Sequence, residues 1–174
     1  GKPSDLDELE PIRVAESVKT MKLTHAVVTS VNRDDLEDGG SEFFAKTIQE
    51  IKLMNPSTSV EVLIPDFKGD RRAIDNIINE SPEVLNHNLE TVPRLQREIR
   101  TAASYGRSLS LLQYAKEVNF SGKTKTGLIV GMGEDFDEVI SVLKDVSQID
   151  IDIVTIGQYL RPTSKHRPIH RYVT

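Results

Sequence analysis

Cysteine is missing from this 174-residue chain, and so is tryptophan. Without cysteine the chain's own residues can form no disulfide, no thiol nucleophile and no Cys-ligated zinc or iron–sulfur site. Long apolar runs are missing too, since the longest have the length of a strand, whereas a bilayer span needs roughly 20 residues. Basic residues are in the minority, with 22 Lys and Arg against 27 Asp and Glu, and they are dispersed along the chain. We therefore expect no membrane span and no nucleic-acid partner.

Five short apolar runs each end in polar residues, and segments with helical spacing separate them. The runs with their polar ends cover residues 24–35, 60–70, 83–91, 125–135 and 152–163. Parallel strands that are joined through helices have all their carboxyl ends at one edge of the sheet. We therefore expect the polar residues of all five units to gather on one face of the molecule, where barrel enzymes place their active sites.

The fold class follows from the way residues alternate within the strands. A doubly wound open sheet buries both faces, so its strands are continuously apolar, as VEVLIP is. The segments LNHNLE and TGLIVG instead alternate polar or small residues with large ones, which favours a barrel interior. Five strands do not close an eight-stranded barrel, and the chain opens on a helix that would normally follow a first strand. We predict an α/β fold, a partial barrel of parallel strands truncated at the N-terminus, as a single domain over 1–174.

Two helical segments carry more specific predictions. The region from about residue 92 to about residue 118 is expected to be helical with a break near Gly106. A second helix is expected to bury an apolar stripe with helical spacing. The stripe consists of Phe136, Val139, Ile140, Leu143 and Val146.

The segment HNLETV has the sharpest local pattern in the chain. If it continues a strand over 84–90, Asn86, Asn88 and Glu90 share one face and His87 lies on the other. Buried polar groups need hydrogen-bonding partners. Two amides and a carboxylate on an inner barrel face therefore indicate either a bound polar ligand or an internal hydrogen-bond network. His87 is expected to be a packed histidine rather than a base.

The polar loop TSVNRDDLEDGG follows the first strand. Ser30, Asn32 and Arg33 are expected at the strand tip, where they could hold the amine or carboxylate of a ligand. A solvated loop that only caps the next helix through Asp38 fits the same residues. The acidic pair within this loop is a weak indication of a metal site, because hard cations usually take carboxylates from more than one turn.

Glycines mark the ends of the last two strands. GLIVGMGE is not a dinucleotide fingerprint, because Gly131 and Gly133 are followed by two acids rather than by a third glycine, and acids at a helix N-terminus repel phosphate. Glycine still allows the backbone to approach a flat ring. In GQYLRPT, the backbone with Tyr159 and Leu160 could hold an aromatic base. Taken singly, these motifs leave the ligand open.

Taken together, the motifs resemble lipoyl synthases, which are radical S-adenosylmethionine enzymes. The resemblance rests on TSVNRDDLEDGG, EVLIPDFKGD, NHNLETVPRLQREIR with SYGRSL, KTKTGLIVGMGE and TIGQYLRPTSKH, and it extends from about Ala15 to the C-terminus. It implies a partial (β/α)6-type TIM barrel. It also implies insertion of two sulfur atoms at C6 and C8 of an octanoyl group on a lipoyl carrier domain or glycine-cleavage H protein, with an electron donor. The expected location is the bacterial cytoplasm, or a mitochondrial matrix or plastid.

The resemblance implies S-adenosylmethionine as a cofactor and assigns its contacts by motif position. The amino end would meet Ser30, Asn32 and Arg33. The ribose hydroxyls would be held by Asn88 and Glu90. The carboxylate would meet Arg107 or Ser108, with Arg97 or Arg100 as replacements for Arg107. The adenine would be framed by Ile129, Gly131, Glu134, Tyr159 and Leu160.

The chain departs from the family in one respect. Lipoyl synthases carry a Cys-x-x-x-Cys-x-x-Cys loop and a second cysteine set, which bind two 4Fe–4S clusters, and a C-terminal Arg-Ser-Ser-Tyr segment that supplies a serine ligand. This sequence contains none of these ligands. We therefore expect it to be the central part of a longer enzyme and to be inactive alone.

Two other interpretations remain open from the residues. One is a noncatalytic nucleoside-binding barrel related to the family. The other is a different barrel enzyme, such as a Schiff-base aldolase, which needs a lysine at the carboxyl end of a strand. Lys123 and Lys125 lie at the start of their strand, which argues against it.

Overall fold

The computed structural model describes residues 5–101 and 103–174, and within them five parallel strands form one sheet in chain order. The strands are β1 His25–Thr29, β2 Ser59–Leu63, β3 Val84–Asn86, β4 Lys123–Val130 and β5 Ile153–Gln158. The helices are α1 Glu10–Thr20, α2 Ser41–Met54, α3 Arg71–Asn79, α4 Gln96–Ile99, α5 Tyr105–Glu117 and α6 Phe136–Gln148. A doubly wound sheet reverses its strand order at a switch point, whereas this order runs from β1 to β5 without reversal. The predicted α/β class and partial barrel are therefore confirmed.

The start of α2 shows why the polar loop after β1 folds as it does. Gly39 and Gly40 have φ values of +65° and +87°, which turn the chain sharply into the helix. The Asp38 carboxylate accepts hydrogen bonds from the amides of Gly40 at 3.0 Å and Glu42 at 2.7 Å. It thereby satisfies amides at the helix N-terminus, which is the capping role that the sequence predicts for Asp38.

The apolar core lies between the sheet and its helices. On β2, Val60 and Val62 are fully buried against α1, α2, α3 and α5. A second cluster lies beside β4, where Leu128 packs with Val142 and Val146 of α6. Alternate residues face the other side of the sheet, which is the inner face of the partial barrel.

The inner face carries a buried charge. Glu61 on β2 is 4% exposed, and its Oε1 accepts hydrogen bonds from Asn86 Nδ2 at 3.0 Å and from Lys125 Nζ at 2.8 Å. A buried carboxylate needs such partners because leaving it unpaired would cost several kcal/mol. The internal hydrogen-bond network expected on this face is therefore present at Asn86.

Three element predictions differ from the structure in detail. Strand β3 ends at Asn86, and Glu90 forms an isolated bridge to Leu128 instead of continuing the strand. Helix α4 ends at Ile99 and α5 begins at Tyr105, so the break expected near Gly106 lies just before that residue, which is the second of α5. Of the stripe predicted for α6, Val146 is buried and Val139 and Leu143 pack against the core, but Phe136 is 71% exposed. The stripe also misses Val142, which is fully buried. Within the described ranges, no helix is both long enough and apolar enough to cross a bilayer.

Asp152 ties α5, β4 and the start of β5 together. Its carboxylate accepts hydrogen bonds from Lys116 Nζ at 2.7 Å, Lys123 Nζ at 3.1 Å, and the amide and hydroxyl of Thr124 at 2.9 and 2.8 Å. Partial burial opposes ionisation, but these donors outweigh it and hold the pKa of Asp152 well below its usual value of 3.8. This stabilisation exists above the unfolded-state pKa and is lost as the pH falls through the folded-state pKa.

Asp152→Asn should lower the free energy of unfolding by about 2 kcal/mol, because the amide cannot accept from all four donors and leaves two ammonium groups unpaired. Urea denaturation followed by circular dichroism at pH 7 measures the change. The variant should also lose stability less steeply below pH 4 than the parent does. Glu16→Gln, at an exposed carboxylate on α1, is the control and should stay within about 0.5 kcal/mol. An equal loss in both variants would contradict the role assigned to Asp152.

Candidate functional site

A polar cavity of about 160 Å³ lies at the carboxyl ends of the first three strands. Its lining is Thr29, Ser30, Asn32, Leu63, Ile64, Pro65, His87, Asn88, Glu90 and Arg100. We call it the strand-end cavity. A neighbouring hollow of about 290 Å³ shares Asn32, Pro65 and Arg100 with it and extends beneath α4. The structure thus brings together four residues that the sequence selects separately, namely Ser30, Asn32, Asn88 and Glu90.

Glu90 reaches this cavity through an unusual backbone conformation. Its φ of +65° lies in the left-handed region, which costs a residue with a side chain roughly 1 kcal/mol. Two hydrogen bonds to β4 offset that cost: the Glu90 amide donates to Gly127 O at 2.9 Å, and the Ile129 amide donates to Glu90 O at 2.7 Å. The backbone of Glu90 is therefore bound to β4 between Gly127 and Ile129. Its carboxylate makes no hydrogen bond or ion pair with the described residues.

Asn88 is placed by a close approach to β4. Its Oδ1 lies 2.7 Å from the position that a Cβ atom on Gly127 would occupy. Glycine at 127 therefore makes the room that the Asn88 amide fills. Below it, Asn86 is bound to Glu61, and Asn86 Oδ1 is buried without a partner among the described residues. Of the three residues predicted to share a face, Asn86 belongs to an internal hydrogen-bond network, whereas Asn88 and Glu90 line the cavity.

His87 is a packed histidine, as the sequence predicts. It is 1% exposed, with Nδ1 at 2.8 Å from Ile64 O and Nε2 at 2.8 Å from Ser108 Oγ. Burial lowers its pKa below the ordinary value of 6.5. Ser108 is fully buried, and its hydroxyl is engaged by this ring rather than directed to the strand-end cavity. Its assignment to a ligand carboxylate stays a prediction that this contact does not favour.

Arg33 and Arg107 are engaged by acidic neighbours. Arg33 forms a two-point ion pair with Asp35, at 2.9 Å from Nε and 2.7 Å from Nη2. Arg107 Nε binds Asp66 Oδ2 at 2.7 Å. Both assignments stay predictions, but a ligand would have to compete with a carboxylate that is already bound.

Arg100 differs from these two arginines. Its Nη1 donates to the carbonyls of Asn88 at 3.1 Å and Leu89 at 3.3 Å, which carry no net charge. It lines both the strand-end cavity and the neighbouring hollow. Motif position assigns Arg100 only as a replacement for Arg107. In the structure, Arg100 is the arginine that lines the strand-end cavity.

No cation site is formed around the acidic loop. Asp34 pairs with Lys68 at 3.3 Å, and Asp35 pairs with Arg33. Over residues 5–101 and 103–174, no group of three His, Asp or Glu side chains could hold a metal ion.

Glu134 clamps the loop that follows β4. It is 3% exposed and accepts hydrogen bonds from the amides of Gly131 at 2.6 Å and Met132 at 2.9 Å. Burial opposes its ionisation, but the backbone donors and the nearby Arg171 together hold its pKa below the usual 4.5. The carboxylate therefore shapes the loop, which is a role that motif position alone does not reveal.

Residues 159–174 form an irregular segment, here called the strap, which crosses the end of β4. The Tyr159 hydroxyl donates to Arg167 O at 2.9 Å, and the His170 amide donates to Gly131 O at 2.8 Å. A Cβ atom on Gly131 would overlap Gln158 Nε2 and would lie 2.7 Å from Arg171 O.

The residues assigned to adenine are thus only partly brought together. Gly131 contacts the strap, to which Tyr159 belongs, and Glu134 binds the amide of Gly131. Ile129 is half-buried on β4, and Leu160 is 66% exposed. The motif assigns the space beside Gly131 to a flat ring. In the structure, Gln158 Nε2 and Arg171 O lie close to that position.

The model of the Radical SAM superfamily matches residues 1–146, so this chain belongs to that superfamily. Its resemblance to lipoyl synthases is confirmed by curated relatives. The chain is 53% identical over 174 residues to the lipoyl synthase of Rubrobacter xylanophilus, covering 100% of this chain and 54% of the relative. It is 51% identical over 174 residues to the mitochondrial lipoyl synthase of Nematostella vectensis, covering 100% of this chain and 60% of the relative. The chain therefore spans less than two thirds of the length of these relatives.

The solved structures support the fold. Streptococcus suis SuiB bound to S-adenosylmethionine superposes with a TM-score of 0.76 over 99% of this chain and 38% of that one, at 11% identity. The superposition supports the barrel fold, but at 11% identity it assigns no role to any residue of this chain.

Gly131→Ala should lower the free energy of unfolding by about 2 kcal/mol or more, because a Cβ at a φ of +98° is strained and overlaps Gln158. Trypsin cleavage after Lys165 and Arg171 should also become faster as the strap loosens. Urea denaturation and timed proteolysis measure the two effects. Gly157→Ala is the matched control, since nothing lies within 4 Å of its Cβ position. If the two variants behave alike, the strap does not depend on the close approach at Gly131.

Proposed function

We propose that this chain is the barrel core of a lipoyl synthase, a radical S-adenosylmethionine sulfurtransferase. The full protein would insert two sulfur atoms at C6 and C8 of an octanoyl group held on a lipoyl carrier domain or glycine-cleavage H protein. The observation that carries the proposal is the composition of the strand-end cavity. There, in a chain 53% identical to a lipoyl synthase, Glu90 shares a lining with the guanidinium of Arg100, and its carboxylate has no partner in the described part of the chain.

The cavity fits the polar parts of S-adenosylmethionine. That molecule presents a carboxylate, an ammonium group and two ribose hydroxyls. Arg100 offers donors for the carboxylate, and Glu90 and Asn88 offer a carboxylate and an amide for the ribose. Ser30 and Asn32 line the same cavity, where their hydroxyl and amide oxygens can accept from the ammonium. These residues bind and orient, and none of them needs to act as an acid or a base.

The adenine end of the ligand is proposed to lie toward the ends of β4 and β5. The motif assigns it to Ile129, Gly131, Glu134, Tyr159 and Leu160. Of these, Glu134 supports the site through the loop it clamps. A ring beside Gly131 requires the Gln158 side chain and the strap to move aside, since their atoms approach that glycine closely.

The iron–sulfur clusters do not fit this chain. It has no cysteine, so none of its residues supplies the thiolates that hold such clusters. The ligands and the electron donor are therefore assigned to the rest of the full protein and its partners. Activity by residues 1–174 alone is not expected. The bacterial cytoplasm or an organelle matrix remains the proposed location, and one relative is named as mitochondrial.

A Schiff-base aldolase is disfavoured by where the lysines lie. Lys123 and Lys125 are at the first half of β4, where they pair with Asp152 and Glu61. Both ammonium groups form ion pairs at the end of the strand away from the strand-end cavity. A Schiff-base lysine must instead be neutral and near the substrate.

The isolated chain should bind S-adenosylmethionine weakly, with a dissociation constant well above the micromolar range. The resemblance places the amino acid end of the ligand on a cluster whose cysteines this chain lacks. Isothermal titration measures the affinity, and the full-length protein with clusters loaded is the positive control. A micromolar constant for the isolated chain would contradict this expectation.

Arg100→Met in the full-length protein should raise the dissociation constant for S-adenosylmethionine about tenfold, the value of one charge-assisted hydrogen bond. Arg107→Met should mainly lower the free energy of unfolding, because it frees Asp66 from its ion pair. Equilibrium binding and urea denaturation separate the two effects, and cluster absorbance reports that both variants stay loaded. If Arg107→Met weakens binding and Arg100→Met does not, Arg107 is the residue that binds the carboxylate. Unchanged affinity in both would count against the strand-end cavity as the binding site.

A further inference from the structure

The strap concentrates positive charge in an otherwise acidic chain. It holds four of the 22 Lys and Arg residues, two of the four His residues and none of the 27 Asp and Glu residues. The four are Arg161, Lys165, Arg167 and Arg171, and all except Arg167 are exposed. These four cations lie within eleven consecutive residues, 161–171, so the strap is an exception to the general dispersal of basic residues along the chain.

Contacts fix the strap beside the mouth of the barrel. Arg167 Nε donates to Met132 O at 2.9 Å, and its guanidinium pairs with Glu98 of α4. The strap therefore lies between the loop after β4 and the helix that covers the hollow next to the strand-end cavity. α4 also presents the exposed Arg97, so exposed cations lie on both of the elements that the pair of Arg167 with Glu98 joins. We call Arg97, Arg161 and Lys165 the basic rim.

The rim cations keep their charge unneutralised. The Arg161 guanidinium donates to the carbonyls of His166, at 2.8 Å, and Ser164. Arg161, Lys165 and Arg97 have no acidic partner among the described residues. Since two hydrogen bonds hold the Arg161 guanidinium in place, this cation is preorganised, which lowers the entropy cost of binding a partner.

We infer that the basic rim docks an acidic protein surface, that of the carrier domain bearing the acyl chain. The inference rests on the proposed function, because a protein-bound acyl group can enter the barrel only if its carrier seats against the mouth. Opposite charges on the two surfaces speed encounter and fix orientation, and both effects weaken as salt screens them. The rim thus recognises the carrier protein, while the strand-end cavity binds the small ligand.

The test uses the full-length enzyme with clusters loaded and two octanoylated substrates, the folded carrier domain and a short uncharged peptide around its modified lysine. Lys165→Glu should raise KM for the carrier domain about fivefold at low salt, and the difference should shrink at high salt. KM for the peptide and kcat for both substrates should not change. Lys165→Arg should restore the parent KM. Lys19→Glu, the same reversal on the last turn of α1, is the control and should have no effect.

Three outcomes would overturn the inference. One is a carrier KM that Lys165→Glu leaves unchanged and salt does not affect. Another is an equal effect of Lys165→Glu on the carrier and the peptide. A third is competition by a DNA duplex as strong as that by the carrier, which would make the rim a general polyanion surface. If neither substrate is sulfurated by the parent enzyme, the proposed function itself fails, so the two failures are distinguishable.

Discussion

Parallel pairing of consecutive strands places all five carboxyl ends at the same edge of the sheet, and the rest of the structure depends on that constraint. It brings Ser30 after β1 and Asn88 after β3 into the lining of one cavity. It also lets Glu90 leave β3 and dock its backbone on β4 through two hydrogen bonds. The polar groups therefore converge although more than 50 residues separate the first from the last along the chain.

The two faces of the sheet are stabilised by different interactions. The outer face is apolar and buried under helices, which supplies most of the favourable free energy of folding. The inner face carries Glu61, Asn86 and Lys125, whose desolvation must be compensated pairwise. This division explains why alternating strands, rather than continuously apolar ones, make up the sheet.

Sequence patterns were sufficient where the physics is local. Strand alternation predicts the packed position of His87, and the loop composition predicts the cap by Asp38. The polar residues after β1 and β3 reach one cavity as predicted, because topology alone brings them there. Position-by-position motif matching was enough for the family and for the selection of Asn88 and Glu90 as cavity residues.

Tertiary contacts decide what the sequence could not. Arg100 and Arg107 are the same residue type a few positions apart, and only the structure distinguishes them: Arg107 is paired with Asp66, whereas Arg100 lines the cavity. Ser108 looks accessible at a helix start, yet the His87 ring lies against it. The strap over Gly131 joins residues some 40 positions apart, which no local pattern reveals. Phe136 matches the helical period but lies on the solvent side, because the period fixes spacing and not which flank meets the core.

The close approach of Asn88 to Gly127 has an evolutionary consequence. A side chain at 127 would displace the amide oxygen at 88, so substitutions at the two positions are expected to be coupled. A larger residue at 127 is compatible only with a shorter one at 88, and such a double change would remove the amide from the cavity lining. Homologues that exchange both residues together would therefore lack an amide at this point of the strand-end cavity.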